Sequence, residues 1–252
     1  MNYPGGKNGA GVYQKIINQM PPHKVYIEAF LGGGAIMRYK RPADVNIGID
    51  KDPVVIRQWN QWGYPGIDIH QGDALEWLSP RKRFYSILEH LVSKYIQEPD
   101  TLIYLDPPYL MSTRSSQREI YYCEMTDQDH VRLLEIITQL NCMVMVSGYW
   151  SEMYANALHD WRTVTFQAQT RGGRTATEWL WMNYPEPGRL HDYQYLGENY
   201  RERERIKRKA HRWVHGKNGL TNLPRLERYA IIAAIDETFP FDGTAKNGDM
   251  DQ

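Results

Sequence analysis

The sequence predicts an α/β protein with a seven-stranded, mostly parallel sheet, an antiparallel hairpin at its end and a small helical extension. Up to residue 106, short apolar runs alternate with helical stretches, which is typical of a parallel sheet covered on both faces. Two further apolar runs flank a glycine-rich loop at 171–174, as in a hairpin. Beyond residue 187 the pattern becomes helical and basic, so we expect a domain over 1–187 and an extension over 188–252.

Seven runs of the sequence are predicted to be strands. They are 25–30, 45–50, 67–71, 101–105, 142–147, 164–170 and 177–184. Helical periodicity predicts helices over 53–62, 81–98, 199–215 and 226–238, and a further helix that begins at Thr126. Two inner faces are expected, one on the 81–98 helix and one on the Thr126 helix: Phe84, Ile87, Leu88 and Leu91 on the first; Val131, Leu134, Ile137 and Leu140 on the second.

Composition limits the class of protein. The 252 residues, 42% of them apolar, suffice for one sizeable domain with an appendage. The apolar stretches are too short to span a bilayer and the first residues do not resemble a signal peptide, so no membrane partner and a cytoplasmic location are expected. Cys123 and Cys142 fit no metal-ligand spacing, and no metal is predicted. The formal net charge is zero, but basic residues concentrate in 201–212.

Four residues after the 101–105 strand predict the chemistry: Asp106, Pro107, Pro108 and Tyr109. The carboxylate can accept a hydrogen bond from an exocyclic NH2 group, and the rigid prolines fix a backbone carbonyl that accepts a second. The Tyr109 ring supplies a stacking face for a planar heterocycle. An ordinary turn after a strand is the alternative interpretation.

A nucleoside-bearing cofactor is predicted at the same edge of the sheet. Glu28 and Phe30 precede the turn Gly32-Gly33-Gly34, where glycines let the backbone approach a ligand closely. Asp50 ends the second strand, where a carboxylate can accept both hydroxyls of a ribose. Asp73 follows the third strand and either contacts an adenine amine or caps a helix.

These motifs, in this order, resemble the Dam-like family of DNA adenine methyltransferases over residues 3–184. The family's N-terminal Gly-Gly-Lys element corresponds to 3–7, its Phe-x-Gly-x-Gly loop to 30–34, and its catalytic Asp-Pro-Pro-Tyr to 106–109. The run 177–184 is similar to a late strand of phage and prophage members, although Ala29 stands where many relatives have proline. The resemblance implies a Rossmann-like fold, S-adenosylmethionine as cofactor, and cofactor contacts from Tyr3, Gly6 and Lys7 besides the residues named above, Asp106 included.

The same resemblance implies a nucleic-acid substrate. A base within a duplex cannot enter such a slot, so we expect DNA with a flipped-out adenine, or single-stranded DNA. Relatives that recognise a defined site carry a substantial domain between the cofactor and catalytic motifs. Here about thirty residues separate Asp73 from Asp106, which predicts relaxed or short specificity with recognition segments at about 79–100 and 110–125.

Arginine and tyrosine side chains around the slot are the predicted nucleic-acid contacts. They are Arg114, Arg118, Tyr122, Arg171 and Arg174 in two loops, and Arg205, Lys207 and Arg208 in the basic segment. A solvated helix with salt bridges is the alternative for the basic segment. For the chain as a whole the alternatives are methylation of adenine in RNA, methylation of the cytosine amine in DNA, or a catalytically silent nucleic-acid-binding protein.

Overall fold

The structure is a computed structural model, and it describes residues 6–9, 11–79, 87–113, 122–169 and 175–239. The chain divides into two compact units, Met1–Tyr195 and Leu196–Gln252. The first unit ends beyond the predicted boundary at 187. Its last residues are tied to it by backbone and side-chain hydrogen bonds, including one from the Asn18 side chain to the Tyr195 carbonyl at 2.7 Å.

Seven strands form one sheet, as predicted. They are β1 Val25–Ala29, β2 Val45–Asp50, β3 Asp68–Gln71, β4 Thr101–Leu105, β5 Met143–Gly148, β6 Arg162–Gln169 and β7 Thr175–Met182. Their order is β3-β2-β1-β4-β5-β7-β6, with parallel pairing from β3 to β5 and antiparallel pairing of β7 with both β5 and β6. The fold class predicted from the sequence is therefore confirmed, including the closing hairpin, whose tip at 170–174 lies outside the described residues.

The register places the carboxyl ends of four parallel strands side by side. Ala29 of β1 pairs with Ile49 of β2 and Leu105 of β4, and Leu105 pairs with Val146 of β5. The residues that follow these four positions therefore emerge at one edge of the sheet, where open α/β sheets hold their ligands.

Both faces of the central strands are buried, which explains their continuous apolar sequences. Alternate residues of β4 enter different core clusters, with Ile103 and Leu105 on one face and Leu102 and Tyr104 on the other. Helices cover these faces. They are α1 Val12–Ile17, α2 Ala35–Tyr39, α3 Pro53–Trp62, α4 Ala74–Trp77, α5 Ile87–Tyr95, α6 Asp127–Ile137 and α7 Glu152–Ala157. The start of the helix predicted over 81–98 lies outside the described residues.

The prediction of an inner-face position is wrong for two residues. Leu91 of α5 is 37% exposed and Val131 of α6 is 42% exposed. The buried face of α5 instead contains Val92, and that of α6 contains Leu133 beside Leu134. In both helices the predicted inner face includes an apolar residue that the structure exposes, because periodicity alone does not fix the edges of a buried face.

The second unit contains two long helices, α8 Tyr200–His215 and α9 Arg225–Thr238. Helix α8 begins where the Asn199 side chain accepts a hydrogen bond from the Glu202 backbone N–H at 3.0 Å. No residue of α8 is buried, so its charges face solvent. Within the described part of the chain, no helix is both long and apolar enough to cross a membrane.

Candidate active site

A large cleft opens at the carboxyl edge of the sheet. It encloses about 980 Å³, open solvent at its mouth included. The residues predicted to bind a cofactor line it, two from the segment before α1 and the others from strand ends: Gly6, Lys7, Glu28, Phe30, Gly32, Gly33, Gly34, Asp50, Asp73 and Asp106. Tyr3, also predicted there, lies outside the described residues.

The turn after β1 is shaped by positive φ angles. Phe30 has φ 77°, Gly32 has φ 47° and Gly34 has φ 54°. Such angles cost a residue with a side chain about 1–2 kcal/mol, so Phe30 is held in a strained conformation by its surroundings. At Gly34 a Cβ would overlap the Trp59 ring, whose Nε1 donates to the Gly32 carbonyl at 2.9 Å. The glycines therefore permit both the turn and its close packing.

The Asp50 carboxylate holds this turn through a hydrogen bond to its backbone. Its Oδ2 accepts a hydrogen bond from the Gly32 backbone N–H at 2.7 Å, and its Oδ1 accepts one from the Asp52 N–H at 2.8 Å. Burial raises the pKa of the Asp50 carboxyl, and the backbone donors partly oppose that shift. Each oxygen retains a second lone pair, so Asp50 can hold the loop and still accept from a ligand.

Asp73 caps helix α4. Its Oδ1 accepts from the Leu75 N–H and its Oδ2 from Lys51 Nζ, both at 2.9 Å. The capping role left open by the sequence is therefore present. Asp73 also lines the cleft, so the cap and the predicted ligand contact are compatible.

Glu28 is buried at the inner end of the cleft. Its Oε2 accepts hydrogen bonds from the Tyr26 hydroxyl at 2.9 Å and from the Met37 N–H at 2.8 Å. Burial outweighs these donors and raises the pKa of Glu28 to about 8. At neutral pH the side chain is therefore mainly a neutral acid, which can itself donate one hydrogen bond.

The Asp106 carboxylate has one engaged oxygen and one available oxygen. Its Oδ1 accepts from Lys7 Nζ at 2.7 Å and from Ser147 Oγ at 2.8 Å. Its Oδ2 makes no hydrogen bond to any described residue. The Asp106 side chain is 20% exposed and lines the large cleft.

Lys7 contacts three side chains: the carboxylates of Asp106 and Glu178 and the hydroxyl of Tyr109. Besides Asp106, its Nζ donates to the Tyr109 hydroxyl at 2.7 Å and lies 3.3 Å from Glu178 Oε2. Burial alone would lower the pKa of Lys7, but the carboxylates of Asp106 and Glu178 outweigh burial and hold it well above its usual value. Lys7 is thus a buried cation. Glu178 was not predicted as a site residue.

A second, smaller cavity, of about 200 Å³ with the open solvent at its mouth included, shares Pro108 with the first. Prolines, aromatic rings and one histidine line it, together with the end of β5: Pro107, Pro108, Tyr109, Leu110, His130, Ser147, Gly148, Tyr149 and Tyr154. The ring centroids of Tyr109 and Tyr149 are 4.3 Å apart, and His130 Nδ1 is hydrogen-bonded to the Tyr154 hydroxyl at 2.9 Å. Pro108 borders both cavities, so the segment 106–109 separates a large polar cleft from a small aromatic one.

The predicted nucleic-acid contacts fall into two groups. Arg114, Arg118, Arg171 and Arg174 lie outside the described residues, whereas Tyr122 is 76% exposed. On α8, Arg205 and Lys207 lie 3.5 and 3.8 Å from Glu202 and Glu204. The salt bridges that the sequence left as an alternative are therefore present. They engage two of the seven lysines and arginines between 200 and 215, which leaves the described helix strongly cationic.

Comparison with known protein families also indicates a methyltransferase. Residues 75–167 match the family model for D12 class N6 adenine-specific DNA methyltransferases. The resemblance predicted from the motifs is thereby confirmed, and S-adenosylmethionine is the cofactor that this methyltransferase match indicates. No curated protein matches the chain. Among the described residues, no group of His, Cys, Asp and Glu is arranged to hold a metal ion.

Several solved methyltransferase structures are also similar to the chain. The 23S rRNA methyltransferase ErmE shares 13% identity over 93% of this chain and 89% of that chain, with a TM-score of 0.41. The N-methyltransferase NodS from Bradyrhizobium japonicum shares 12% identity over 69% and 93%, with a TM-score of 0.44. A dimethyladenosine transferase from Plasmodium falciparum shares 11% identity over 70% and 62%, with a TM-score of 0.40.

Proposed function

We propose that the chain methylates the exocyclic amine of adenine in DNA, with relaxed or short sequence specificity. One observation carries this proposal: Asp106 has a hydrogen-bonding oxygen left available at the boundary between a cofactor-sized cleft and a small aromatic cavity. A methyl donor on one side and a planar amine on the other would meet at this residue. The match to N6 adenine-specific DNA methyltransferases supports adenine and DNA.

The large cleft fits S-adenosylmethionine. The close-packed turn at Gly32–Gly34 offers backbone without side chains, and Asp50 offers lone pairs for the ribose hydroxyls. Asp73 has a carboxylate at the same cleft, where it can accept from the adenine amine of the cofactor. When bound, S-adenosylmethionine supplies a methyl group already activated by its sulfonium sulfur.

The small aromatic pocket beside Asp106 is the place that we assign to the target base. Tyr109 and Tyr149 provide aromatic faces for stacking, while Asp106 Oδ2 and the Pro107 carbonyl can accept the two hydrogens of an exocyclic amine. These acceptors draw the nitrogen lone pair out of conjugation with the ring and orient it toward the cleft. Orientation of two reactants in this way supplies much of the rate enhancement, because the methyl donor is already reactive.

A base reaches this cavity only from a flipped-out or single-stranded nucleotide, because duplex stacking hides the amine. Affinity for the strand would come from the positive charge on α8, which contacts phosphates without regard to sequence. The short recognition segments and a general phosphate contact together account for weak sequence preference.

Transfer of labelled methyl from S-adenosylmethionine to unmethylated duplex DNA, single-stranded DNA and RNA tests the proposal. N6-methyladenine in digested DNA is the expected product, spread over many sequence contexts. Methyladenine found only in RNA would make RNA, not DNA, the substrate. Methylcytosine in DNA would make cytosine, not adenine, the target base. No label in any nucleic acid, together with no binding of S-adenosylmethionine in calorimetry, would favour the silent nucleic-acid-binding protein.

Charge reversal at Arg205, Lys207 and Arg208 tests the α8 contact separately. The triple Glu variant should bind DNA more weakly and show a smaller slope of log affinity against log salt. A matched control reverses Arg57, an exposed cation of α3 in the first unit. Equal salt slopes in the two variants would assign the α8 charges to solvation alone.

A further inference from the structure

Glu178 is a carboxylate placed where the strand pattern calls for an apolar residue. In β7 it shares a face with Leu180 and Met182, which are both fully buried in the core. Its own side chain is 7% exposed. Burying an ionised carboxylate is costly unless an opposite charge pairs with it, so its presence needs a specific reason.

The antiparallel direction of β7 brings Glu178 to the active edge. Trp179 pairs with Gly148, the last residue of β5. Because β7 runs against β5, the first part of β7 lies where the parallel strands end. Glu178, immediately before that pair, therefore reaches the same edge as Asp106 and lies 3.3 Å from Lys7 Nζ.

The contact between Glu178 and Lys7 is an ion pair without a directed hydrogen bond. Glu178 Oε2 accepts no hydrogen bond with suitable geometry from the described residues, although it lies within ion-pair distance of Lys7. To described residues, Lys7 donates directed hydrogen bonds to Asp106 and Tyr109. Two carboxylate side chains thus share one buried ammonium, and the formal charges of the three groups sum to −1.

We propose that Glu178 is a positioning residue for methyl transfer, which offsets the Lys7 charge so that Asp106 faces the target amine as an effective anion. This proposal rests on the proposed function. With Lys7 alone, Asp106 would be neutralised by its own ion pair. With Glu178 present, Lys7 can orient Asp106 and Tyr109 without cancelling the negative charge beside the amine.

That charge matters because the amine becomes positive during transfer. The amine nitrogen would use its lone pair to bond the methyl carbon while the carbon–sulfur bond breaks and its electron pair stays on sulfur. The proton that the nitrogen then loses would pass through Asp106 Oδ2 to solvent water. Positive charge therefore moves onto the nitrogen beside Asp106 Oδ2. A fixed negative site there lowers the barrier, because it interacts more strongly with the transition state than with the neutral amine.

Glu178→Gln keeps the side-chain shape and removes the charge. Single-turnover transfer should slow by about tenfold or more, while the KM for S-adenosylmethionine should change by less than about threefold. Glu135→Gln is the matched control, since it makes the same charge change at an exposed position of α6 and should leave the rate unaltered. A Glu178→Gln rate within about twofold of the unmodified chain would overturn the proposal.

Two further variants separate charge from packing. Glu178→Asp keeps the charge and should retain most of the activity. Adding Lys7→Met to Glu178→Gln restores a net charge of −1, so the double variant should be faster than the product of the two single effects predicts. Additive losses, or an Asp variant as slow as the Gln variant, would refute the role of charge.

Nuclear magnetic resonance of the Lys7 ammonium gives a readout independent of turnover. Its pKa should fall in Glu178→Gln, because one of the two carboxylates that raise it is gone. An unchanged Lys7 pKa would contradict the proposal. If the unmodified chain methylates no nucleic acid, the proposed function fails; if it does methylate and Glu178→Gln is equally fast, only the role of Glu178 fails.

Discussion

Gly34→Ala tests whether the turn after β1 is built for close packing. The left-handed φ of 54° costs an alanine about 1–2 kcal/mol, and the new Cβ would overlap Cζ2 of Trp59 and lie 2.8 Å from its Cη2. Trp59 is 2% exposed and cannot move away freely, so overpacking should add about 1–3 kcal/mol. We expect a total loss of about 2–5 kcal/mol in the free energy of unfolding.

Gly63→Ala is the matched control. Gly63 has φ 60°, and a Cβ at this position would have no neighbouring atom within 4 Å, so the variant should lose only the conformational part, about 1–2 kcal/mol. Urea unfolding measures both variants. Displacing Trp59 should also release its hydrogen bond to the Gly32 carbonyl and weaken S-adenosylmethionine binding in calorimetry. Equal stability losses in the two variants, with cofactor affinity unchanged in Gly34→Ala, would refute the reasoning.

Three further predictions concern carboxylates at the same edge. Asp106→Asn should slow methyl transfer by about a hundredfold with little change in cofactor affinity, measured by single turnover and calorimetry; normal turnover would remove Asp106 from the site. Asp50→Asn should weaken cofactor binding about tenfold or more, because an amide nitrogen cannot accept from the Gly32 or Asp52 N–H, and unchanged calorimetric affinity would contradict this. Burial raises the pKa of Glu28 from 4.5 to about 8, so the folded chain keeps a proton that the unfolded chain has lost between those values. Stability should therefore fall with rising pH in that window, by up to about 1.4 kcal/mol per unit, and urea unfolding of Glu28→Gln should show a flatter dependence; an identical slope would refute the assignment.

The sheet could be predicted from the sequence because its strands are short apolar runs with turn residues at both ends. Burial on both faces makes β4 and β5 nearly continuous in apolar character, and the alternation with helices then determines parallel pairing. The loop from Phe30 to Gly34, Asp50 and Asp106 could be placed at one edge for the same reason, since each follows a parallel strand. Which apolar residues of a helix are buried was harder to predict, as the exposed Leu91 and Val131 show.

The contacts around Lys7 could not be predicted in the same way. Lys7, Asp106 and Glu178 lie in three segments that are far apart in the chain, and no local sequence pattern indicates that they meet. One signal was nevertheless present: a carboxylate in β7 at the position where strand periodicity places a core residue. A charged residue that breaks an otherwise apolar face is costly to bury, so it indicates a partner in the folded chain.

The aromatic cavity depends on the same long-range arrangement. Tyr109 follows β4, Tyr149 follows β5, and Tyr154 belongs to α7, so the cavity forms only after β5 has paired beside β4. Its position next to Asp106 is then a consequence of strand order. The antiparallel β7, inserted between β5 and β6, completes the arrangement, because it alone among the seven described strands begins at the edge where the others end. A parallel strand at that position would bring its last residues to the site; reversing its direction lets the chain place Glu178 beside Lys7 while Leu180 and Met182 continue into the core.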